Sequence, residues 1–168
     1  SSELWKEWKQ LGWNSDNKDP NKETSWKYYD GYFEEDYSWP KDKSNTDKIK
    51  EAAIKSKLIH VTGGEPTLNP EFFDLLKHCI DTNTAKDIAL EVTTNATKIH
   101  PRFFDMASKF KRLRLTVSMD GVGSTYEYVR YPANYDLVHK NILRYNEFVK
   151  SLGGDSQLVF NFVLQVWN

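Results

Sequence analysis

The sequence predicts an α/β domain in which parallel strands are joined by crossover helices. Three observations predict it. Beyond Thr46, short runs rich in β-branched residues alternate with longer segments whose apolar residues recur at helical spacing. Glycine, proline and asparagine punctuate the boundaries between the two patterns. Regular alternation of this kind implies parallel strands, because a parallel neighbour can be reached only by a crossover, which is nearly always right-handed.

Taken in order, Ser1 to Gly12 reads as a short helix capped by Ser1 or Ser2, with Leu4, Trp5, Trp8 and Leu11 on one face. Asn14 to Asn45 is polar and turn-rich with scattered aromatics, so residues 1–45 form a helix plus a long aromatic-rich connection. Residues 46–168 form the core. A helix is expected over Asp47–Ser56 and a strand over Leu58–Thr62, ended by Gly63-Gly64. Asn69-Pro70-Glu71 is a helix start: a capping side chain, proline at the first position, then an acid in the first turn. Phe72, Leu75, Leu76, Cys79 and Ile80 make its apolar stripe. Ile88–Thr94 is the second strand, and Pro101 opens a helix carrying Phe103, Phe104, Ala107 and Phe110. Leu113–Met119 is the third strand. Asn134 or Asp136 starts a long helix with Val138, Ile142, Tyr145, Val149 and Leu152 on one face, and Gly153 ends it. Leu158–Val166 is the fourth strand. Both ends read as cuts through a larger domain.

Composition narrows the function. The 168 residues carry 23 Lys and Arg against 24 Asp and Glu, a net charge of −1, so no field draws the chain to phosphate backbones or anionic membranes. Residues 1–55 hold ten lysines and twelve acids, so their aromatics are read as packing rather than as a nucleic-acid platform. No apolar run approaches the ~20 residues of a membrane span, and no leader is evident, so a cytoplasmic location is expected. A lone cysteine, Cys79, excludes an internal disulfide and a thiolate cage built by this chain. Its place on the apolar stripe makes it core.

In either a barrel or a doubly wound sheet, the working loops follow the carboxyl ends of the strands. The polar motifs stand there: Gly63-Gly64-Glu65-Pro66, Thr94-Asn95, Ser118-Met119-Asp120-Gly121 and Asn168. Two glycines let a ligand approach the backbone, and a carboxylate suits an ammonium group. Ser118, Asp120 and Asn95 offer hydroxyl, carboxylate and amide groups. Arg130, between the third strand and the long helix, can clamp a carboxylate bidentately. Together these groups suit an amino-acid-like ligand carrying a ribose.

Thr62-Gly63-Gly64-Glu65-Pro66-Thr67-Leu68-Asn69-Pro70-Glu71 resembles the GGEP motif of radical S-adenosylmethionine (radical SAM) enzymes. Thr94-Asn95, Ser-x-Asp-Gly at 118–121 and Tyr-x-Tyr-x-Arg ending at Arg130 follow in the family's order, and the likeness runs over residues 57–168. The opening Ser-Ser-x-x-Trp-x-x-Trp resembles members with a twitch or SPASM-type extension. The resemblance implies a partial (β/α)6 TIM-like barrel. It implies that Gly63, Gly64 and Glu65, with Pro66, contact the methionine amino group of S-adenosylmethionine. Ser118 takes the methionine or ribose part, and Arg130 the methionine carboxylate. Thr94, Asn95 and Asp120 line the site, with Asn168 near the adenosine. It further implies a [4Fe–4S] cluster that generates a 5′-deoxyadenosyl radical, a reductant, and a peptide or small-molecule substrate.

Two departures stand out. The family's CxxxCxxC motif is absent, so the cluster cysteines are expected outside this excerpt, which alone is expected to be inactive. Ala96 stands where many members have glycine, and alanine resists positive φ, so the turn is expected to differ. His60, His78, His100 and His139 show no metal-ligand spacing, and neither GxSxG nor a Walker motif occurs. The alternatives are a non-catalytic barrel binding a nucleoside or amino acid, and a TIM-barrel lyase using a lysine Schiff base. No lysine lies in the strand-end motifs, which counts against the lyase.

Overall fold

The computed structural model describes residues 42–164 and 166. The expected helix over 1–12, the connection over 14–45 apart from its last residues, and Asn168 lie outside the described residues. The first described element is helix α1 (Lys43–Ala53), followed by strand β1 (Leu58–Val61), α2 (Pro70–Asp81) and β2 (Ala89–Thr94). Then come α3 (Phe103–Ala107), β3 (Arg112–Ser118), α4 (Gly123–Val129), α5 (Tyr135–Leu152) and β4 (Gln157–Asn161).

The four strands form one sheet in the order β1-β2-β3-β4, and every neighbouring pair is parallel. The expected architecture is therefore present: an α/β fold whose strands are adjacent in chain order, with their carboxyl ends on one side. Alternate strand residues Ile59, Leu90, Val92, Leu113, Leu115 and Val117 are buried and pack with Phe72, Leu76, Phe103, Ile142 and Tyr145 of the helices. At ~25 cal/mol per Å² of apolar surface, each such side chain stabilises the fold by about 1.5–3 kcal/mol.

Local chemistry sets the boundaries. Asn69 caps α2, its Oδ1 accepting the Glu71 amide at 2.9 Å with Pro70 in the first turn. Asn134 caps α5 by accepting from the Leu137 amide at 2.9 Å, and Gly153 at φ 63° ends it. Cys79 is buried in α2, as its position on the stripe requires.

Several boundaries differ from the sequence expectation, among them both ends of α1, the short span of α3 and, by four residues or more, the start of α1 and the end of β4. Helix α1 begins four residues early, because the Asp42 carboxylate accepts the Ser44 amide at 2.8 Å and supplies the cap. Strand β4 ends at Asn161 instead of Val166. Its partner β3 stops at Ser118, and the Asp120 side chain then takes the Val163 amide at 3.0 Å, so no ladder remains to extend. Phe162, Val163, Leu164 and Val166 are exposed as a result.

Candidate functional site

The carboxyl edge of the sheet is organised by one carboxylate. Glu65, in the loop after β1, points under its own loop toward the end of β2. Its Oε1 accepts from the Thr67 amide (3.2 Å), the Thr67 hydroxyl (2.6 Å) and the Thr94 hydroxyl (2.9 Å). Its Oε2 accepts from the same Thr94 hydroxyl (2.9 Å) and from the Asn95 amide (2.8 Å). Four protons thus meet the roughly four lone-pair sites of a carboxylate. The Thr94 oxygen in turn accepts the Ala96 amide at 3.0 Å. Thr67 and Thr94 are buried, and the Tyr145 phenol lies beneath them, its pKa pushed up by burial and then by the Glu65 charge.

With Glu65 so engaged, the Gly63-Gly64 backbone is what faces outward. Both residues are exposed, at φ 91° and 56°, and no atom lies within 4 Å of the place a Cβ would occupy on either. They border an open cleft of about 330 Å³ floored by Val61, Pro66 and Phe72. Backbone amides and carbonyls there are free of side-chain cover, which is what an amino-acid ligand needs for close approach. Glu65 orients this loop from within and leaves the glycine backbone as its exposed surface.

A second cluster stands at the end of β3. Asp120 is buried, and its Oδ2 accepts from Arg130 Nε at 2.9 Å and Nη2 at 2.7 Å. Its Oδ1 takes the Val163 amide, so Asp120 ties the β3 end both to the segment after β4 and to the residue that follows α4. The partner of Arg130 is Asp120, ten residues earlier at the end of β3. The guanidinium keeps its remaining N–H donors beyond that pair. Thr94 is level with Val117, so Ser118 stands one residue past it at the same edge, half-buried and paired with Asn161. Asn95 is also half-buried, its Oδ1 accepting the Thr97 amide (2.9 Å) and hydroxyl (2.7 Å), which leaves its NH2 group as the available donor.

Ala96 keeps the turn the sequence puts in doubt. It sits at φ 56°, fully buried, in the left-handed region that glycine would adopt without strain. Its carbonyl accepts from Asn141 Nδ2 at 2.9 Å and its amide donates to Thr94, and these two bonds hold the turn against alanine's preference.

The sequence reading overlooked Thr67, Asn141 and helix α4. Asn141 carried a signal: a polar residue inside the apolar stripe of α5 between Val138 and Ile142. Helix α4 has only seven residues and an opening rich in glycine, serine and threonine, which reads as loop.

The domain is a parallel α/β sheet whose carboxyl edge carries a bare glycine loop, a hydroxyl-bearing strand end and a part-buried Asp–Arg pair. The chain belongs to the radical SAM superfamily, whose family model matches residues 26–160. No curated protein and no solved structure matches it. Members of that family work with S-adenosylmethionine and a [4Fe–4S] cluster. The glycine loop fits the first. The cluster has no ligand set here: among the described residues no group of His, Cys, Asp and Glu could hold a metal ion, and the only cysteine in the sequence is sealed in the core. Among the described residues no helix is long and apolar enough to cross a membrane.

Proposed function

We propose that this chain is the S-adenosylmethionine-binding core of a radical SAM enzyme with a partial (β/α)6 TIM-like barrel. The observation that carries the reading is the Glu65 carboxylate, saturated by Thr67, Thr94 and Asn95, which fixes the Gly63-Gly64 backbone open at the sheet edge. When bound, the cofactor supplies a 5′-deoxyadenosyl radical, formed by reduction at a [4Fe–4S] cluster held by cysteines outside this sequence, which takes a hydrogen atom from the substrate.

The residues of this chain bind and orient. Gly63 and Gly64 take the methionine amino group. Arg130, steadied by Asp120, presents its free N–H groups to the methionine carboxylate, and Ser118 and Asn95 take hydroxyls of the ribose. Pro66 starts the turn that aims the loop. Asn168 is assigned to the adenosine in this reading on the resemblance alone. The Ser1-Ser2-x-x-Trp5-x-x-Trp8 opening supports a twitch or SPASM-type member acting on a peptide or small molecule, with a cytoplasmic reductant as partner.

Nuclear magnetic resonance titration of the chain with S-adenosylmethionine tests it. The amides of Gly63, Gly64 and Asn95 are expected to shift saturably, and Gly64→Ala, strained at φ 56°, to weaken that response at least tenfold. Binding without reductive cleavage to 5′-deoxyadenosine in the cluster-bearing enzyme would leave a non-catalytic nucleoside or amino-acid binder. No shift at these amides would remove both readings.

A further inference from the structure

Among the described residues, the sheet buries only one of its two faces. Parallel sheets ordinarily bury both, and their strands read as continuous apolar runs. Here the strands alternate. His60 and Arg114 are exposed, and Glu91, Thr93, Thr116 and Ser118 are half-buried, all on the face opposite the helix-covered core. A face that awaited a helix would be apolar. Apart from Val159 of β4, this one is polar from its middle to its carboxyl edge, which suits water or a polar ligand.

The register gives the face its rows. His60, Glu91, Arg114 and Gln157 lie side by side across all four strands, Thr93, Thr116 and Val159 form the next row up, and Ser118 with Asn161 reaches the edge. The charges along this ladder do not balance. Glu91 Oε1 is 3.5 Å from Arg112 Nη2, and its Oε2 is 3.5 Å from His60 Nδ1, so Arg112 offsets its charge. Arg114, the cross-strand neighbour of Glu91, makes no side-chain hydrogen bond or ion pair among the described residues. Among the described charged side chains of this face, the arginine fork is the one without a partner, and such a fork is suited to a planar anion. Glu91 beside it favours a singly charged carboxylate group over a doubly charged phosphate group by like-charge repulsion.

We infer that Arg114, on the open face of the sheet, holds a carboxylate of the substrate. The inference rests on the chain being the enzyme core proposed above. Four residues separate Arg114 from Ser118, roughly 13 Å at ~3.3 Å per residue. A carboxylate gripped at Arg114 therefore lies below the cofactor edge, and the rest of the substrate runs upward past Thr93 and Thr116. Specificity follows from the charge: neutral analogues forgo the ion pair with the one charged group among the described residues of this face that has no partner of its own.

The chain has five arginines, Arg102, Arg112, Arg114, Arg130 and Arg144, so labelling arginine with nitrogen-15 gives five Nε signals to follow. The probe is glutarate, with its neutral diamide as control. The Arg114 signal is expected to saturate at a glutarate concentration at least tenfold below that which moves the exposed Arg102 and Arg144, and to ignore the diamide. Arg114→Gln is expected to abolish the glutarate-induced amide shifts of Glu91 and Gln157 while leaving the response of Gly63 and Gly64 to S-adenosylmethionine unchanged. Arg114 moving in step with Arg102 and Arg144 would overturn the inference. Saturation at Arg114 with no response of Gly63 and Gly64 to S-adenosylmethionine would support the anion site and remove the cofactor reading, so the two failures are separable.

Discussion

The Thr94 hydroxyl lies 2.9 Å from both carboxylate oxygens of Glu65, across 29 residues of chain. Through this bond the end of β2 fixes the loop that follows β1. The loop's glycines hold positive φ with nothing packed against them, so its shape is imposed from below by Glu65, Thr67 and Thr94.

Glu65→Gln should therefore uncouple the loop. One acceptor oxygen becomes an NH2 group facing the donors of Thr67 or Asn95, leaving a part-buried donor without a partner. The expected loss is about 1–3 kcal/mol of stability, read from urea melts. S-adenosylmethionine affinity should fall with it. Thr94→Val should lose a similar amount, since it removes both the bond to Glu65 and the acceptor for the Ala96 amide. A Glu65→Gln variant as stable as the parent would show that the carboxylate does not tie the two strand ends.

The parts of this site that could be read from sequence are those where one residue type does one job locally. The parallel strand order followed from the alternation of two periodicities, and the caps at Asn69 and Asn134 from residue type and position. Gly63-Gly64 and Arg130 stood out as chemistry at strand ends. What could not be read depends on contacts distant in sequence. That Glu65 faces inward follows from Thr94 and Asn95, on another strand, and that Arg130 meets Asp120 follows from the path of α4. The end of β4 was illegible for the same reason: its apolar run continues, and its partner strand does not.

Arg130→Ala should act on binding and on stability together. It leaves the buried Asp120 carboxylate with the Val163 amide and no cation. Because Arg130 is itself 25% exposed, solvent screens the pair, and a loss of about 1–3 kcal/mol is expected. In the cluster-bearing enzyme, calorimetric titration should show S-adenosylmethionine affinity reduced by about 1.5–3 kcal/mol, the worth of a charge-assisted hydrogen bond. Arg130→Lys should recover only part, since lysine keeps the charge and loses the fork. Unchanged affinity in the alanine variant would confine Arg130 to holding the β3 end.

Ala96→Gly separates strain from packing. Glycine relieves about 1–2 kcal/mol of left-handed strain. Against this stand a gain in unfolded-chain entropy of about 0.4–1 kcal/mol and the loss of a buried methyl of about 0.8 kcal/mol. The terms nearly cancel, so thermal and urea melts should place the variant within about 1 kcal/mol of the parent. Ala96→Val adds a β-branched side chain at the same φ, in a position with no exposure, and should be clearly destabilising. A large gain from Ala96→Gly would mean that the bonds from Asn141 and Thr94 do not hold the turn as described.

The alkaline limit of stability should trace to buried phenols and the buried thiol. Burial is the leading cause that pushes Tyr145, Tyr126 and Cys79 above their ordinary values of 10.0, 10.0 and 9.0. Tyr145 is raised further by the Glu65 carboxylate, while Arg130 partly lowers Tyr126. Each group binds its proton more tightly in the folded state than in the unfolded one. Their contribution is thus fully present below the unfolded pKa values and is lost as pH rises through and beyond them, toward the folded values. Urea melts should show stability level near neutrality and declining from about pH 9 upward. Tyr145→Phe removes the group with the largest shift, at the loss of a 3.5 Å bond to the Lys98 carbonyl, so its melts should start slightly lower and fall less steeply with pH. Equal slopes in the two proteins between pH 9 and 11.5 would place the alkaline transition elsewhere and detach Tyr145 from the Glu65 cluster.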